Sequence, residues 1–368
     1  MIFNLSLLLI ILLLYFFTHL KNSYSKQKKD YLFLRITFII FFILVSFRAF
    51  NIGNDTLTYL NFFEKCAKYK WEIVSFDGYY EGGYIILNIL ISYISLHPRF
   101  FLIVMSLIFN FVIYKFIEKN SKNYLLSVIM YVCLLFFYSS MTMMRQFFAM
   151  TIILYSFSFV KKQQLLKFLF FVIIASLFHS SAWIAILCYP MYNLKYSNKM
   201  AVFILVVATI CCIYIGPVVS IITNLIGREN YYAAKVGSDS ISNTIYFLIY
   251  LIMFFFSLYQ LLINKKLKNK DISFYLYSML FAAAINLIGT NMNILSRAAD
   301  YFSIFIIISF PNVIEETVVR KYDKKILNIL LLLCFVSYSS VIIFYKPEWN
   351  SAFNYSACLI KNEGDLCE

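Results

Sequence analysis

Between its polar breaks this chain runs apolar for about twenty residues at a time, and it does so repeatedly from end to end. Wound as an α-helix, such a run matches the hydrocarbon thickness of a bilayer. The apolar residues are continuous rather than alternating, which excludes a membrane β-barrel. With 62% hydrophobic residues and 14% charged ones, there is too little polar surface to cover a soluble globule. The pattern predicts an all-α, polytopic transmembrane helical bundle, a single integral membrane domain over residues 1–368. The opening stretch "MIFNLSLLLIILLLYFFTHL" has neither a basic n-region nor a small-residue cleavage site, and reads as a retained membrane helix.

The breaks predict about twelve full spans, at 2–20, 31–50, 100–117, 124–140, 146–160, 164–178, 180–194, 200–222, 244–263, 271–289, 298–313 and 325–345. A thirteenth run, 83–97, is too short to cross and is expected to enter and return on one side as a re-entrant helix. The net charge of +14 is a topology signal here and not a nucleic-acid footprint. Six short breaks, 21–30, 115–122, 161–167, 195–199, 264–270 and 320–325, hold 20 of the 32 basic residues. Placing all six on the cytoplasmic side satisfies the positive-inside rule. Both termini, the loop 51–82 and the tail 346–368 are then extracytoplasmic. The weaker pair 164–178 and 180–194 is the alternative place for a miscount. The eight cysteines form no CxxC and no Cys/His cluster, so neither a metal nor another cofactor is expected. Cys358 and Cys367, in the tail, are within reach of pairing if it is extracellular.

Lysine dominates the inner breaks, yet five of the seven arginines, Arg48, Arg99, Arg145, Arg228 and Arg297, fall on the outer side. Positive-inside sorting does not account for them. Arginine binds carboxylate or phosphate through a planar two-pronged fork, and charges beside apolar spans are costly and mostly functional. Several arginines facing one outer cavity suit an anion held at headgroup level, such as a lipid-linked pyrophosphate.

Four stretches carry a family resemblance. "RAFNIGNDTLTYLNFF" (from Arg48), "YYEGGYIILNILI" (from Tyr79), the long run from "MRQFFAM" to "FHSSAWIAIL", and "SRAADYF" (from Ser296) resemble, in order and spacing, the segments of EpsG-type membrane proteins over about residues 30–305. The resemblance implies a Wzy-like polymerase. It would join undecaprenyl-pyrophosphate-linked oligosaccharide repeats, destined for O-antigen, capsule or exopolysaccharide, at the outer face of the bacterial inner membrane. Membrane lipids and a chain-length regulator are the further partners it implies. The alternatives are a transporter or flippase of lipid-linked oligosaccharide and a non-catalytic component of an export complex. A flippase calls for internal repeats and a cavity open to both sides in turn, whereas this chain shows no repeat and clusters its charges on one face.

Such a reaction needs a stabiliser for the leaving pyrophosphate, a base for the acceptor hydroxyl, and groups that hold both sugars. Arg145, with Gln146 beside it, and Arg297, with Tyr301 one turn later, match the family segments and suit the pyrophosphate; Arg48 and Tyr59 are assigned to substrate binding with them. Arg99 and Arg228 read as headgroup anchors. Three residues compete as base. Asp55 follows Gly53 in a tight polar turn, Glu81 precedes a GGY where the short run enters, and His179 sits beside two serines. Asp55 and Glu81 rank ahead of His179. Tyr79, Tyr80, Tyr84 and Trp183 read as belt or core aromatics before sugar platforms.

Overall fold

The apolar runs are helical, and several of the helices begin where a side chain or a proline accommodates their unpaired backbone ends. The computed structural model describes residues 2–20, 24–75, 80–226, 241–263, 269–292, 295–316, 321–345, 353, 355 and 356. The α-helices are, in chain order, α1 (Ile2–Leu20), α2 (Lys26–Ser46), α3 (Thr56–Tyr69), α4 (Gly82–Ile94), α5 (Pro98–Asn120), α6 (Tyr124–Cys133), α7 (Phe136–Thr142) and α8 (Met144–Lys161). Then follow α9 (Leu165–Ser176), α10 (Cys188–Asn193), α11 (Asn198–Ile226), α12 (Ile241–Ile263), α13 (Lys270–Gly289), α14 (Ser296–Ser303), α15 (Ile306–Glu315) and α16 (Lys321–Tyr345). Short 3-10 segments occupy Lys70–Ser75 and Ser180–Leu187. Among the described residues no strand forms. Ser25 Oγ accepts the Lys28 N–H at 3.4 Å to open α2, and Asn123 and Asn269 cap α6 and α13 the same way. Pro98 opens α5, where its missing N–H costs nothing.

The number of spans is lower than the sequence predicts. Among the described residues six helices are long and apolar enough to cross a bilayer: Ile2–Leu20, Pro98–Asn120, Asn198–Gly216, Ile241–Ile263, Lys270–Gly289 and Leu327–Tyr345. Counting each sharply bent pair as one span, α6 with α7 (49°) and α14 with α15 (42°), gives eight. The physical reason is segmentation. At Leu135 the backbone enters the left-handed region (φ 65°) and breaks the first bent pair. The runs at 164–178 and 180–194 become a 12-residue α9, a 3-10 segment and a 6-residue α10, and no α-helix this short reaches across ~30 Å. Segmentation accounts for these two runs; α2 and α8 are unbroken, but their polar ends, with Lys29, Asp30 and Arg35 in one and Arg145, Gln146 and Lys161 in the other, keep them out of the six.

The chain divides into two compact units. The first comprises Met1–Phe157, Leu169–Trp183 and Tyr322–Glu368. Within it α2 packs along α5, α1 lies against α2 and α6, and α3 and α4 pack on each other and on α5. One end gathers the start of α1, the end of α2, the start of α5 and the end of α7. Phe3 stacks on Tyr355 with ring centres 4.6 Å apart, and Tyr355 donates to Leu44 O at 2.9 Å. Ser356 O accepts the Ala49 N–H at 2.9 Å, Arg99 donates to Ser46 O at 3.1 Å, and Thr56 donates to Met141 O at 3.1 Å. The opposite end joins His19 to Asp30 (3.1 Å) and Tyr124 to Glu118 O (3.0 Å). Close to the first of these ends runs a buried polar chain: Tyr138 donates to Asn4 Oδ1 (2.9 Å), and Asn4 donates to Ser339 Oγ (3.1 Å), linking α7, α1 and α16. Where water is absent, such bonds hold helices in register.

The second unit comprises Ser158–Phe168 and Ile184–Lys321. Its axis is α13, which is largely buried and packed by α10, α11, α12, α14 and α15. Asp271, in the first turn of α13, takes Lys161 (3.4 Å) and the Tyr192 hydroxyl (2.9 Å); at the other end Asn243 donates to Gly289 O at 2.7 Å.

Candidate functional site

The turn after α2 is built around backbone carbonyls that need donors. Gly53 adopts φ +91°, and a β-carbon there would collide with Met141 O of α7. Arg48 fills the inside of this turn and is wholly buried. Its Nη1 donates to Val45 O (2.5 Å) and its Nε to Ile52 O (3.2 Å), while Nη2 reaches Thr56 Oγ1 and Met144 Sδ at 3.5 Å. The structure thus gives Arg48 different work from the substrate binding expected of it. A cation at a helix C-terminus satisfies the last carbonyls and the negative end of the dipole, and this one also fixes the turn against the start of α8. Arg99 adds to the same brace, donating to Ser46 O and Arg48 O and lying 4.3 Å from the Phe50 ring.

One residue beyond Met144 stands Arg145, and here the separate sequence stretches meet. Its Nη1 donates to Glu81 Oε2 at 2.6 Å. Its guanidinium lies 4.7 Å from the centre of the Tyr80 ring and 5.9 Å from that of Tyr84, and it hydrogen-bonds the Tyr59 hydroxyl. Planar stacking on a ring face while donating at the edge is open to arginine and not to lysine. Burial works against the charge, but the neighbouring Tyr59 and Glu81 outweigh it and the pKa rises above the ordinary arginine value. The Glu81 and Arg145 side chains remain 23% and 16% exposed, so the pair is sheltered yet open to a ligand.

The other oxygen of Glu81 accepts the Ser180 N–H at 3.2 Å. That N–H opens the 3-10 segment after His179, whose Nδ1 lies 2.6 Å from Ser181 Oγ. A second tie sits two residues on, where the Gly83 N–H donates to Leu177 O at 2.9 Å. The approach is so close that a β-carbon on residue 83 would lie 2.8 Å from both Leu177 O and Leu177 Cβ; at Gly82 it would meet nothing. We therefore expect Gly83→Ala to push α4 off the 177–181 turn, move Glu81 from Arg145, and cut activity about tenfold or more. Gly82→Ala should behave as wild type. Parallel activity and thermal-melt measurements on the two variants check this, and equal effects would deny the contact any importance.

The structure brings Glu81, Arg145 and Tyr59 together, with His179 next in sequence to the Ser180 N–H that Glu81 accepts. Asp55 stands at the N-cap of α3, half-buried, with its carbonyl accepting the Tyr59 N–H at 3.0 Å. Gln146 is buried at the start of α8. Arg297 and Tyr301 belong to the second unit. Arg297 is exposed, whereas Tyr301 one turn later is fully buried, so the two do not present a shared surface. Asp77, Tyr79, Arg228, Cys358 and Cys367 lie outside the described residues. Among the described residues no group of three or more metal-ligating side chains occurs. Sequence reasoning missed the Ser180 N–H and the role of Tyr80. An N–H carries no residue signature, and Tyr80 matters only because Arg145 is packed on it.

Six or more long apolar helices make this a multi-pass helical membrane protein. Within that class the chain belongs to the EpsG family, whose model matches residues 31–357. That family is associated with polysaccharide biosynthesis and glycosyl transfer in general. No curated protein and no solved structure matches the chain.

Proposed function

We propose that this chain is a Wzy-type glycosyltransferase that polymerises undecaprenyl-pyrophosphate-linked oligosaccharide repeat units. The observation that carries the reading is the caged Arg145–Glu81 pair, part-exposed and built from stretches far apart in sequence, in a member of a glycosyl-transfer family. In this reading the end of the first unit that holds the pair faces the outside of the bacterial inner membrane. The acceptor hydroxyl gives its proton to the Glu81 carboxylate and its oxygen bonds to the anomeric carbon of the growing chain. The bond from that carbon to the pyrophosphate oxygen breaks, and the electron pair leaves with undecaprenyl pyrophosphate, whose charge Arg145 stabilises. Arg48 acts as a positioning residue, since it braces Met144. Arg297 is assigned to phosphate on the family resemblance, and its variant is tested separately.

Purified protein in liposomes, supplied with a lipid-linked repeat, should yield a ladder of polymer with release of undecaprenyl pyrophosphate. Asp55→Cys in a cysteine-free background should label from the outside. Repeat units that remain monomeric under conditions where the protein is folded would remove the polymerase assignment, and labelling from the cytoplasmic side alone would remove the outer face.

A further inference from the structure

The resting site poses a problem for its own chemistry: the carboxylate that should take a proton has both oxygens engaged, one by Arg145 Nη1 (2.6 Å) and the other by the Ser180 N–H (3.2 Å). A carboxylate ion-paired to a guanidinium through one oxygen and bonded to a backbone N–H through the other is a weaker base for a hydroxyl proton. Conversely, the Arg145 Nη1 that faces Glu81 is taken by the carboxylate and cannot serve a phosphate oxygen at the same position. We infer that the Glu81 carboxylate occupies the very position that a phosphate oxygen pair takes when substrate binds, and that the pyrophosphate displaces it. The inference rests on the polymerase reading above and deepens it by assigning the phosphate cradle and the order of events.

The geometry fits an exchange. The cradle has one charged donor and one backbone N–H, the set that recurs in phosphate sites. Tyr80 and Tyr59 hold the guanidinium from other sides, so it keeps its orientation when Glu81 departs. Glu81 is the residue just before α4, in extended backbone (φ −66°, ψ 142°), and its side chain does not cap that helix. Its rotamer can therefore change without unwinding α4. The α4 N-terminus itself stays anchored through Gly83 to Leu177. A pyrophosphate carries more charge than one carboxylate and offers oxygens to both donors, so it competes effectively. Once displaced, Glu81 remains within a side chain's length of the bound phosphate and has its lone pairs available. The base is thus exposed only when the donor is in place, which limits idle hydrolysis.

The competition has a consequence of unusual sign. Removing the charge of Glu81 should tighten pyrophosphate binding while destroying turnover. In neutral-lipid nanodiscs with undecaprenyl pyrophosphate as the probe, Glu81→Gln should lower Kd about tenfold, an amount equal to one modest ion pair. Glu81→Asp, one methylene shorter, should tighten it less, and it gives a second reading should the glutamine variant fold poorly. Arg145→Ala should weaken binding. Undecaprenyl monophosphate and phosphatidylglycerol serve as comparison probes. Tightening confined to the pyrophosphate supports the cradle. Unchanged or weaker binding in both Glu81 variants overturns the exchange, and equal tightening for phosphatidylglycerol shows a general headgroup site and overturns the pyrophosphate assignment. The two readings fail separately: a wild-type protein that makes polymer while its Glu81 variants do not bind tighter loses only the exchange. A wild-type protein that shows the binding pattern but makes no polymer loses the function.

Discussion

Arg145→Ala eliminates polymer formation, and Arg145→Lys restores little of it. The expected loss for alanine is about a thousandfold or more in the reconstituted assay, the upper range for removing one preorganised donor from a developing anion. The argument is geometric. Arg145 reaches Glu81 through Nη1 while its guanidinium lies 4.7 Å from the centre of the Tyr80 ring and it hydrogen-bonds Tyr59. A lysine ammonium offers a single point of charge on a flexible stem and loses the stacked orientation. Alanine also strands the Glu81 carboxylate in a sheltered place, which on its own destabilises the site. The double variant Arg145→Ala/Glu81→Gln removes that stranded charge. A melting temperature that returns in the double variant shows that the stranded charge destabilised the single one, and an Arg145→Ala protein that is folded at the assay temperature yet inactive shows that the arginine acts on the reaction. Full activity in Arg145→Lys would reduce the residue to a headgroup anchor. Arg297→Ala and Arg297→Lys, run in the same assay, test the second arginine on its own.

Glu81→Gln should lower turnover about a hundredfold or more, the usual range for loss of a general base. The amide keeps the shape and still accepts the Ser180 N–H, so the fold of the 177–181 turn is expected to survive. Asp55→Asn and His179→Gln are the comparisons, because all three residues are candidate bases. Asp55 sits at the N-cap of α3, and His179 has its Nδ1 against Ser181; Glu81 is ion-paired with Arg145 at 2.6 Å. Separate measurement of kcat and of lipid binding decides the role. A fall in kcat with binding kept or improved marks a base. A matching loss of both marks a residue that only orients Arg145. If His179→Gln alone stops turnover with binding intact, and both carboxylate variants remain active, the histidine is the base.

Much of this protein was legible before any coordinates. Continuous apolar runs left no fold but packed membrane helices, since backbone polar groups must be satisfied within each segment. The excess of lysine in some breaks and of arginine in others separated two kinds of loop, and within the first unit Phe3, the turn after α2, Tyr355 and Ser356 lie together. The order of the arginine, glutamate and histidine stretches was enough to place the chain in its family. Sequence could not give the number of spans, because an apolar run is equally apolar whether its helix is whole or broken, as at Leu135. Nor could it assign the arginines. Arg48 and Arg145 look alike on paper, each a cation beside an apolar run. Packing buried the first among carbonyls of its own turn and set the second against a carboxylate 64 residues away. Helix formation is local and follows from residue type and spacing, whereas which charge meets which is decided by the packing of α4, α8 and the turn after α9, where a single β-carbon at Gly83 would keep them apart.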